Sequence, residues 1–337
     1  MLNVAIVGLG YWGPNLLRVF DSMDFCVVKY CCDKDDGVRH TYQQLYPRIV
    51  FLSEFEVILN DPDVDAVVIA TPVPTHYFFA KQALSSNKHV FVEKPLTLEI
   101  EHAIELTELA EQKQLTLMVG HLMLYHPAIE WLKKIIIDGE LGQICYLYSQ
   151  RVNLGRLRSK ENAMWSLAPH DISVALYLIG KNPNSVSANG YAYLQPDVED
   201  VAFINLTFES KMAAHIHCSW LDPHKIRKMT VVGEKRMAVF DDMNKEEPIK
   251  IYDKGFSAVD DDKNRLISMP YVRFGDIWIP HIPAEEPLMR ECKHFLDSII
   301  NSTNPISDGR NGIDVLTILH QAQDSMLQSQ ALSISYE

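Results

Sequence analysis

The amino-acid sequence predicts an α/β protein in which a doubly wound parallel sheet is followed by an α+β domain with an open, mainly antiparallel sheet. Two patterns support this. Up to residue 122, short apolar runs alternate with helical segments, which is typical of a parallel sheet covered on both faces. Beyond it, strand-like runs follow one another closely, which indicates antiparallel pairing. At 337 residues the chain exceeds the usual size of one core, so we expect two domains, 1–122 and 123–337.

Composition and charge indicate a folded protein and exclude several kinds of partner. Apolar residues make up 47% of the chain and charged residues 22%, which is ordinary for a globular protein. The formal net charge of −13 would repel nucleic acid and anionic membranes. The 6 cysteines show no Cys-x-x-Cys spacing, and the sequence shows neither a basic leader nor an apolar run of roughly 18 residues. We therefore expect a cytoplasmic protein with reduced thiols.

The first strand and its turn carry a nucleotide-binding pattern. Leu2 to Val7 is a short apolar run, Gly8-Leu9-Gly10-Tyr11-Trp12-Gly13 reads G-x-G-x-x-G, and a helical segment follows. In such a turn the first glycine permits the tight bend, the second lets the backbone approach a pyrophosphate, and the third allows close helix packing. Free N–H groups at the helix start bind the diphosphate. Strand, turn and helix in this order predict a Rossmann dinucleotide-binding domain.

The end of the second strand indicates which dinucleotide binds. Cys26 to Cys32 is apolar and leads into Asp33, about 20 residues beyond the glycines. A carboxylate there accepts hydrogen bonds from the ribose hydroxyls of adenosine and repels a 2′-phosphate. The sequence therefore favours NAD over NADP, although Lys34 follows directly.

Four further strand-like runs complete the predicted parallel sheet: Ile49 to Leu52, Ala66 to Ala70, His89 to Val92 and Thr116 to Gly120. The ligand of such a sheet lies beyond the carboxyl ends of its strands. We therefore interpret the residues at those ends and in the glycine turn as cofactor-binding, namely Thr71, Pro72, His76, Glu93 and Lys94 with Gly8, Gly10, Tyr11, Trp12, Gly13 and Asp33.

The second domain is predicted from a helix at Pro127 to Ile137 and a series of later elements. The strand-like runs are Ile144 to Val152, Ser185 to Tyr193, Val201 to Phe208, Ala213 to Trp220, Lys228 to Val232 and Arg236 to Phe240. An apolar helix is expected from Ile172 to Ile179, and the stretch from Asp241 to Pro287 is interpreted as a surface excursion. Two helices close the chain, at Glu286 to Ile300 and at Gly312 to Gln330.

Several motifs together resemble the glucose-fructose oxidoreductase, inositol dehydrogenase and rhizopine catabolism (Gfo/Idh/MocA) family of NAD(P)-dependent sugar dehydrogenases. They are the glycine turn, Ala70-Thr71-Pro72 with His76, Glu93-Lys94-Pro95 and Gly139-Glu140-Leu141-Gly142, and the resemblance spans essentially the whole chain. It implies that Lys94 is catalytic and that the peptide bond before Pro95 is cis. It also implies a homodimer or homotetramer that assembles through the open face of the second domain's sheet.

Narrower motifs resemble bacterial nucleotide-sugar 3-dehydrogenases, which oxidise UDP-N-acetylglucosamine or its C6 uronate on the way to 3-amino sugars. These motifs are the segments 120–128, 154–156, 161–165 and 168–171. The resemblance implies a place in the biosynthesis of surface-polysaccharide or lipid A amino sugars.

Two side chains could carry the oxidation of a hydroxyl group. Most lysines are solvated charges, but Lys94 follows a buried strand directly and could polarise the sugar oxygen. Histidines are often only packing residues, yet an ordinary pKa of ~6.5 suits His170 to accept an alcohol proton. The matched motif makes His170 the general base. Asp171 is interpreted, with equal weight, as a helix cap or as a substrate contact.

A cationic segment from Arg151 to Lys160 lies in an otherwise acidic chain. Such runs are usually solvated surfaces, but a diphosphate needs cations, and the planar fork of arginine matches phosphate oxygens. We interpret Arg156 and Arg158 as substrate contacts, with Asn162 as a polar companion. His76, His121 and His126 lack cysteine or carboxylate partners at ligand spacing, so we expect no metal.

The sequence therefore predicts an NAD-dependent dehydrogenase that oxidises the C3 hydroxyl of a UDP-linked N-acetyl amino sugar to a 3-keto sugar. One alternative is an NAD-dependent dehydrogenase of a free sugar or cyclitol, for which the cationic segment would be only a surface. Another is a non-catalytic NAD-binding regulator, which the presence of both Lys94 and His170 disfavours.

Overall fold

The computed structural model describes residues 1–155, 161–257 and 271–328 and divides the chain into two compact units. The first comprises Met1–Tyr125 with Glu285–Thr317, and the second comprises His126–Ala284 with the chain from Ile318. The chain thus leaves the first unit near the predicted boundary at residue 122 and later returns to it. No local sequence pattern indicates that return.

The first unit is built on a six-stranded parallel sheet in the order β3-β2-β1-β4-β5-β6. Its strands, in chain order from β1 to β6, are Leu2–Val7, Cys26–Cys32, Val50–Leu52, Ala66–Ile69, His89–Glu93 and Leu117–Gly120. The central strands are apolar because helices cover both faces of the sheet, and β4 is buried at every position. The prediction of a Rossmann doubly wound sheet is confirmed.

Five helices connect these strands, and the first begins in the glycine turn. From α1 to α5 they are Gly13–Asp21, Asp36–Leu45, Phe55–Asn60, His76–Ser85 and Ile100–Lys113. A proline in the first turn of α1 is tolerated because the N–H it lacks has no partner within the helix. The chain leaves the sheet through a short 3₁₀ turn at Leu122–Tyr125.

The second unit contains an eight-stranded sheet in the order β16-β13-β12-β11-β7-β10-β9-β8. After helix α6 (Pro127–Ile137), the strands from β7 to β16 are Ile144–Val152, Ser185–Tyr191, Val201–Thr207, Ala213–Ser219, Ile226–Gly233, Met237–Asp241, Ile249–Tyr252, Gly255–Ser257, Tyr271–Arg273 and Ile277–Trp278. Strands β14 and β15 form a separate hairpin. All neighbours in the large sheet are antiparallel except β7 and β10, so a mainly antiparallel sheet is confirmed.

The interpretation of residues 241–287 as a surface excursion is wrong in part. Strands β13 and β16 extend the large sheet beyond β12, and Ile249 and Ile251 of β13 are fully buried. These strands are only 4 and 2 residues long. Such short pieces carry too little periodicity for the sequence to indicate them.

Helix α7 (Ala163–Ile179) packs against β7, β9 and β10 and begins earlier than the predicted start at Ile172. The side chain of Asn162 caps the helix by accepting the N–H of Trp165 at 3.0 Å. Pro169 lies inside the helix, although proline usually interrupts helices. Asn162 before an apolar run is the sequence pattern that indicates the earlier start of the helix.

A buried ion pair joins α7 to the sheet. Arg151 of β7 donates to the carboxylate of Asp171 in α7, and their side chains are 7% and 5% exposed. The Ser149 hydroxyl donates to the same carboxylate at 2.6 Å. Asp171 therefore lies inside the helix, and its interpretation as a helix cap is wrong. Arg151, the first residue of the cationic segment, neutralises a charge within the fold.

The side chains of β7, β9 and β10 alternate between two environments. One face of the strands is buried against α7, including Leu147, Ile204 and Ile216. The other face presents a half-buried layer of stacked rings, in which Phe203 lies 4.5 Å from His217 and Tyr148 lies 5.6 Å from His215, measured between ring centroids. This layer is called the ring face below.

The returning segment holds two helices. Phe295 of helix α8 (Pro287–Asn301) is buried, and its ring makes edge-to-face contacts with two other rings. The distance between ring centroids is 6.5 Å to Phe20 and 5.7 Å to Phe91. Helix α9 (Gly309–Gln328) follows, and Ser325 in its later part accepts the N–H of Ala188 in β8 at 2.9 Å. None of the helices in the described ranges is long and apolar enough to cross a membrane.

Candidate active site

The glycine turn combines two positions that need glycine for the fold with one that lies open. A Cβ atom on Gly13 would lie 1.9 Å from the carbonyl oxygen of Gly8. Gly8 has a φ of +93°, and a Cβ there would lie 2.7 Å from the Ala70 carbonyl oxygen. By contrast, a Cβ on Gly10 would meet no protein atom within 4 Å. This arrangement suits the approach of a diphosphate to the backbone at Gly10.

Asp33 ties the loop after β2 to the glycine turn. One carboxylate oxygen accepts the N–H of Leu9 at 2.7 Å, and the other accepts the N–H of Asp35 at 2.9 Å. A carboxylate offers about four lone-pair sites, so Asp33 retains acceptor capacity for ribose hydroxyls. The residues of this turn therefore fit a dinucleotide. Tyr11, at 86% exposed, is available to a ligand, whereas Trp12 donates from its side chain to Glu93.

His76 joins the loops that follow β4 and β5. Its Nδ1 lies 2.9 Å from the carbonyl oxygen of Pro95, and its Nε2 lies 2.8 Å from that of Thr71. The ring is 1% exposed, and burial lowers its pKa. His76 is therefore a buried side chain that joins the two loops, and its predicted contact with the cofactor stays a prediction. These contacts of the His76 ring orient Thr71, Pro72 and the loop that carries Lys94.

Lys94 lies at the carboxyl end of β5, on the loop that His76 contacts through Pro95. The peptide bond between Lys94 and Pro95 is cis, which confirms the expectation drawn from the family resemblance. Lys94 is half-buried, and its backbone N–H donates to the Glu93 carboxylate at 3.3 Å. The loop therefore presents the lysine at the edge of the sheet where ligands of this fold class bind.

A second carboxyl group, which the sequence analysis did not identify, lies near Glu93. Glu291 of α8 is fully buried, and neither carboxyl oxygen has a hydrogen-bond partner within the described structure. Burial raises the pKa of Glu93 to about 7. Burial, together with the charge of Glu93, raises the pKa of Glu291 well above its ordinary value. The two carboxyl groups therefore hold protons more tightly than exposed glutamates do.

The predicted site residues of the second unit lie in and before α7. His170 is half-buried within the helix, and its carbonyl oxygen accepts the Ser173 hydroxyl at 2.9 Å. Besides its cap, Asn162 donates to Glu199 at 2.6 Å and to Gln323 at 2.9 Å. These contacts give Asn162 a structural role, and its predicted contact with the substrate stays a prediction. The carboxylate of Asp171 is likewise used by Ser149 and Arg151.

The cationic segment is described only at its start. Arg156, Arg158 and Lys160 lie outside the described residues, so their predicted contacts with the substrate stay predictions. Within the described ranges, no three histidine, cysteine or carboxylate side chains come together as a possible metal site.

Comparisons with known proteins match most of the chain. Residues 2–121 match an oxidoreductase family with an NAD-binding Rossmann fold, and residues 129–239 match the GFO/IDH/MocA C-terminal domain. A UDP-N-acetylglucosamine 3-dehydrogenase of Acidithiobacillus ferrooxidans is 29% identical over 262 residues, which cover 77% of this chain and 78% of that protein. The scyllo-inositol 2-dehydrogenase (NAD(+)) of Bacillus subtilis is 27% identical over 263 residues, covering 74% and 71%.

The comparison extends to solved structures. The structure of UDP-N-acetylglucosamine 3-dehydrogenase GnnA from Acidithiobacillus ferrooxidans matches with a TM-score of 0.82 at 25% identity, covering 97% of this chain and 99% of that one. The match therefore includes both units of the fold, and the first unit is an NAD-binding Rossmann domain.

Alanine at two glycines should separate folding from cofactor binding. Gly13→Ala places a methyl group against backbone, so we expect a loss of about 1–3 kcal/mol in the free energy of unfolding. Gly10→Ala should melt like the wild type but bind NADH roughly tenfold or more weakly, because the methyl group lies where the diphosphate approaches. Thermal melts beside NADH fluorescence titrations measure both. Unchanged NADH affinity in Gly10→Ala would show that the diphosphate lies elsewhere.

Glu291→Gln should change how stability depends on pH. Because folding raises the pKa of Glu93 to about 7 and that of Glu291 well above its ordinary value, their contribution to stability is present below the ordinary value of about 4.3 and is lost as pH rises through the raised values. Glutamine does not ionise, so the melting temperature of the variant relative to wild type should rise between pH 5 and pH 8. Glu108→Gln, at an exposed site on α5, is the control. Equal pH dependence in all three proteins would contradict the raised values.

Proposed function

The chain belongs to the GFO/IDH/MocA oxidoreductase family, and from this premise we propose that it oxidises the C3 hydroxyl of a UDP-linked N-acetyl amino sugar to a 3-keto sugar. The substrate is UDP-N-acetylglucosamine or its C6 uronate, and the product supplies amino sugars of surface polysaccharide or lipid A. The observation that supports this choice is the similarity over both domains to a UDP-N-acetylglucosamine 3-dehydrogenase.

Lys94 and His170 carry the chemistry in this proposal. Bound NAD supplies the acceptor for the hydride that leaves C3. Lys94 donates a hydrogen bond to the C3 oxygen and orients the hydroxyl. His170 accepts the hydroxyl proton at an unprotonated ring nitrogen. The C3–H electron pair thus leaves as hydride, the O–H proton goes to His170, and a carbonyl forms at C3.

Binding of the substrate diphosphate is assigned to arginines. In a chain with a net charge of −13, an anionic nucleotide-sugar needs local cations. Arg151 is used by Asp171 within the fold, so we propose Arg156 and Arg158 for this role. On the cofactor side we propose Gly10, Asp33 and Thr71, with Pro72 and Glu93 lining the same edge of the sheet.

A substrate panel tests the proposed function. NADH formation should accompany UDP-N-acetylglucosamine or its uronate, with a product two hydrogens lighter, and UDP alone should compete with the substrate. Inositol should not be oxidised. Turnover with inositol and not with UDP-sugars would replace the proposal with a cyclitol dehydrogenase. Tight NADH binding without turnover across the panel would favour a non-catalytic regulator.

Two variants test the assigned roles within the same assay. Lys94→Ala should keep its NADH affinity and lose turnover. His170→Asn should melt normally and lose ~10²–10⁴-fold in turnover, together with the acidic limb of its pH–rate profile. A destabilised His170→Asn variant with near-normal turnover would make His170 a packing residue.

We also propose that two or four copies assemble through the ring face. Its stacked, half-buried rings form a partly apolar layer on β7, β9 and β10 that a second copy would cover. Phe203→Glu should therefore sediment as a monomer. Phe78→Glu makes the same change at a residue of the first unit that is 54% exposed and should leave assembly unchanged. A monomeric wild type at micromolar concentration would contradict assembly.

A further inference from the structure

His121 stands beside Lys94 at the carboxyl edge of the parallel sheet. Strands β5 and β6 are neighbours, and their register pairs Glu93 with Gly120. Lys94 is the residue after β5, and His121 is the residue after β6. The two residues therefore follow the ends of adjacent strands, and adjacent strands in a sheet lie about 4.8 Å apart. His121 is 1% exposed and is used by no step proposed above.

The returning segment fixes the ring of His121. Its Nδ1 lies 2.7 Å from the side-chain oxygen of Asn311, in the first turn of α9. The N–H of Asn311 in turn donates to the Asp308 carboxylate at 2.9 Å, and Asp308 bridges to Met118 in β6. The start of α9 is therefore anchored to the strand that carries His121, and it holds the ring in one orientation.

These contacts determine where the ring carries its hydrogen. Burial lowers the pKa of His121 to about 4, with a further decrease from the charge of Lys94 and an opposing increase from the hydrogen bond to Asn311, so the imidazole is neutral at neutral pH. A neutral imidazole has one N–H, and the amide oxygen of Asn311 can only accept. The hydrogen is therefore on Nδ1, and Nε2 keeps its lone pair.

The neighbouring charged groups agree with a neutral ring. Lys94 is the charge that acts on the imidazole, and it opposes a second cation there. Glu93 on β5 and Glu291 on α8 hold protons more tightly than usual. An aspartate at position 311 would favour imidazolium, whereas asparagine has the same shape and no charge.

We propose that Asn311 and His121 form a positioning pair for Lys94, in which the amide oxygen holds the hydrogen of the buried, uncharged imidazole on Nδ1 and the Nε2 lone pair provides an acceptor beside the ammonium group. The pair keeps Lys94 as the one cation at this strand edge among the described residues, and it favours the protonated lysine that donates to the substrate oxygen. The proposal rests on the role given to Lys94 in the proposed function. His121 and Asn311 act through Lys94 and make no bond to the reacting atoms.

The first test introduces a charge at position 311 of the pair and needs no substrate. The rate at which an amine-reactive acetylating reagent modifies Lys94, followed by peptide mass spectrometry against pH, reports when the ammonium loses its proton. In Asn311→Asp, the carboxylate makes Nε2 of His121 a stronger acceptor and adds a negative charge near the ammonium group, so the midpoint should rise by roughly one pH unit. Asn301→Asp, the same change at an exposed residue of α8, is the control and should leave the midpoint unchanged. An unmoved midpoint in Asn311→Asp would overturn the proposal.

Replacing the ring is the second test, and it applies even if Asn311→Asp does not fold. His121→Gln and His121→Leu have similar volume, but only glutamine offers an acceptor. We expect His121→Gln to stay within a few-fold of wild-type kcat and His121→Leu to fall roughly tenfold or more, with KM for NAD unchanged in both. A merely structural role would give both variants equal kcat and an unmoved labelling midpoint.

The two tests separate this proposal from the proposed function. If the wild type oxidises no UDP-sugar, the proposed substrate is wrong, but the labelling midpoints still decide the role of the pair. If the wild type oxidises a UDP-sugar and the midpoints do not move, the pair is structural and the proposed function stands.

Discussion

The pairing of Ser307 with the edge of β6 is the contact on which the candidate site depends. The N–H of Val119 donates to the Ser307 carbonyl oxygen at 2.7 Å, and the Ser307 hydroxyl donates to the Val119 carbonyl oxygen at 2.7 Å. These bonds satisfy an open strand edge and bring a distant part of the chain to it. Helix α8 before it supplies Glu291, and α9 after it supplies Asn311. The pairing of Ser307 with β6 therefore brings Glu291 and Asn311 to the carboxyl ends of β5 and β6.

The sequence predicts the parallel sheet well because its causes are local. Each buried strand needs a continuous apolar run, and the turn after β1 leaves no room for a Cβ at Gly13. The same reasoning fails where the cause is distant. Helix α7 continues through Pro169, and Asp171 lies in its interior because Arg151 and Ser149 of β7 neutralise and bind its carboxylate. Nothing within a few residues of Asp171 indicates those partners.

The residues of the candidate site also fall into two groups, those that the local sequence indicates and those that only the folded chain brings to the site. Gly10, Asp33 and Lys94 were predicted because each lies at a fixed distance along the chain from a strand end. The contacts of His76 with the carbonyl groups of Thr71 and Pro95 could not be predicted, since these groups come from two separate loops. Glu291 and Asn311 could not be predicted, because only the folded chain brings α8 and α9 to the sheet.

The hydrogen bond from Ala188 to Ser325 has a consequence for solubility at high concentration. Strand β8 is the end of the large sheet, and a free strand edge is a template on which further strands can add without limit. Because α9 occupies an N–H in the middle of this strand, an incoming strand would first have to displace the helix. Growth along the edge is therefore opposed. The contact thus disfavours open-ended strand addition, a first step of fibre formation, at this end of the sheet.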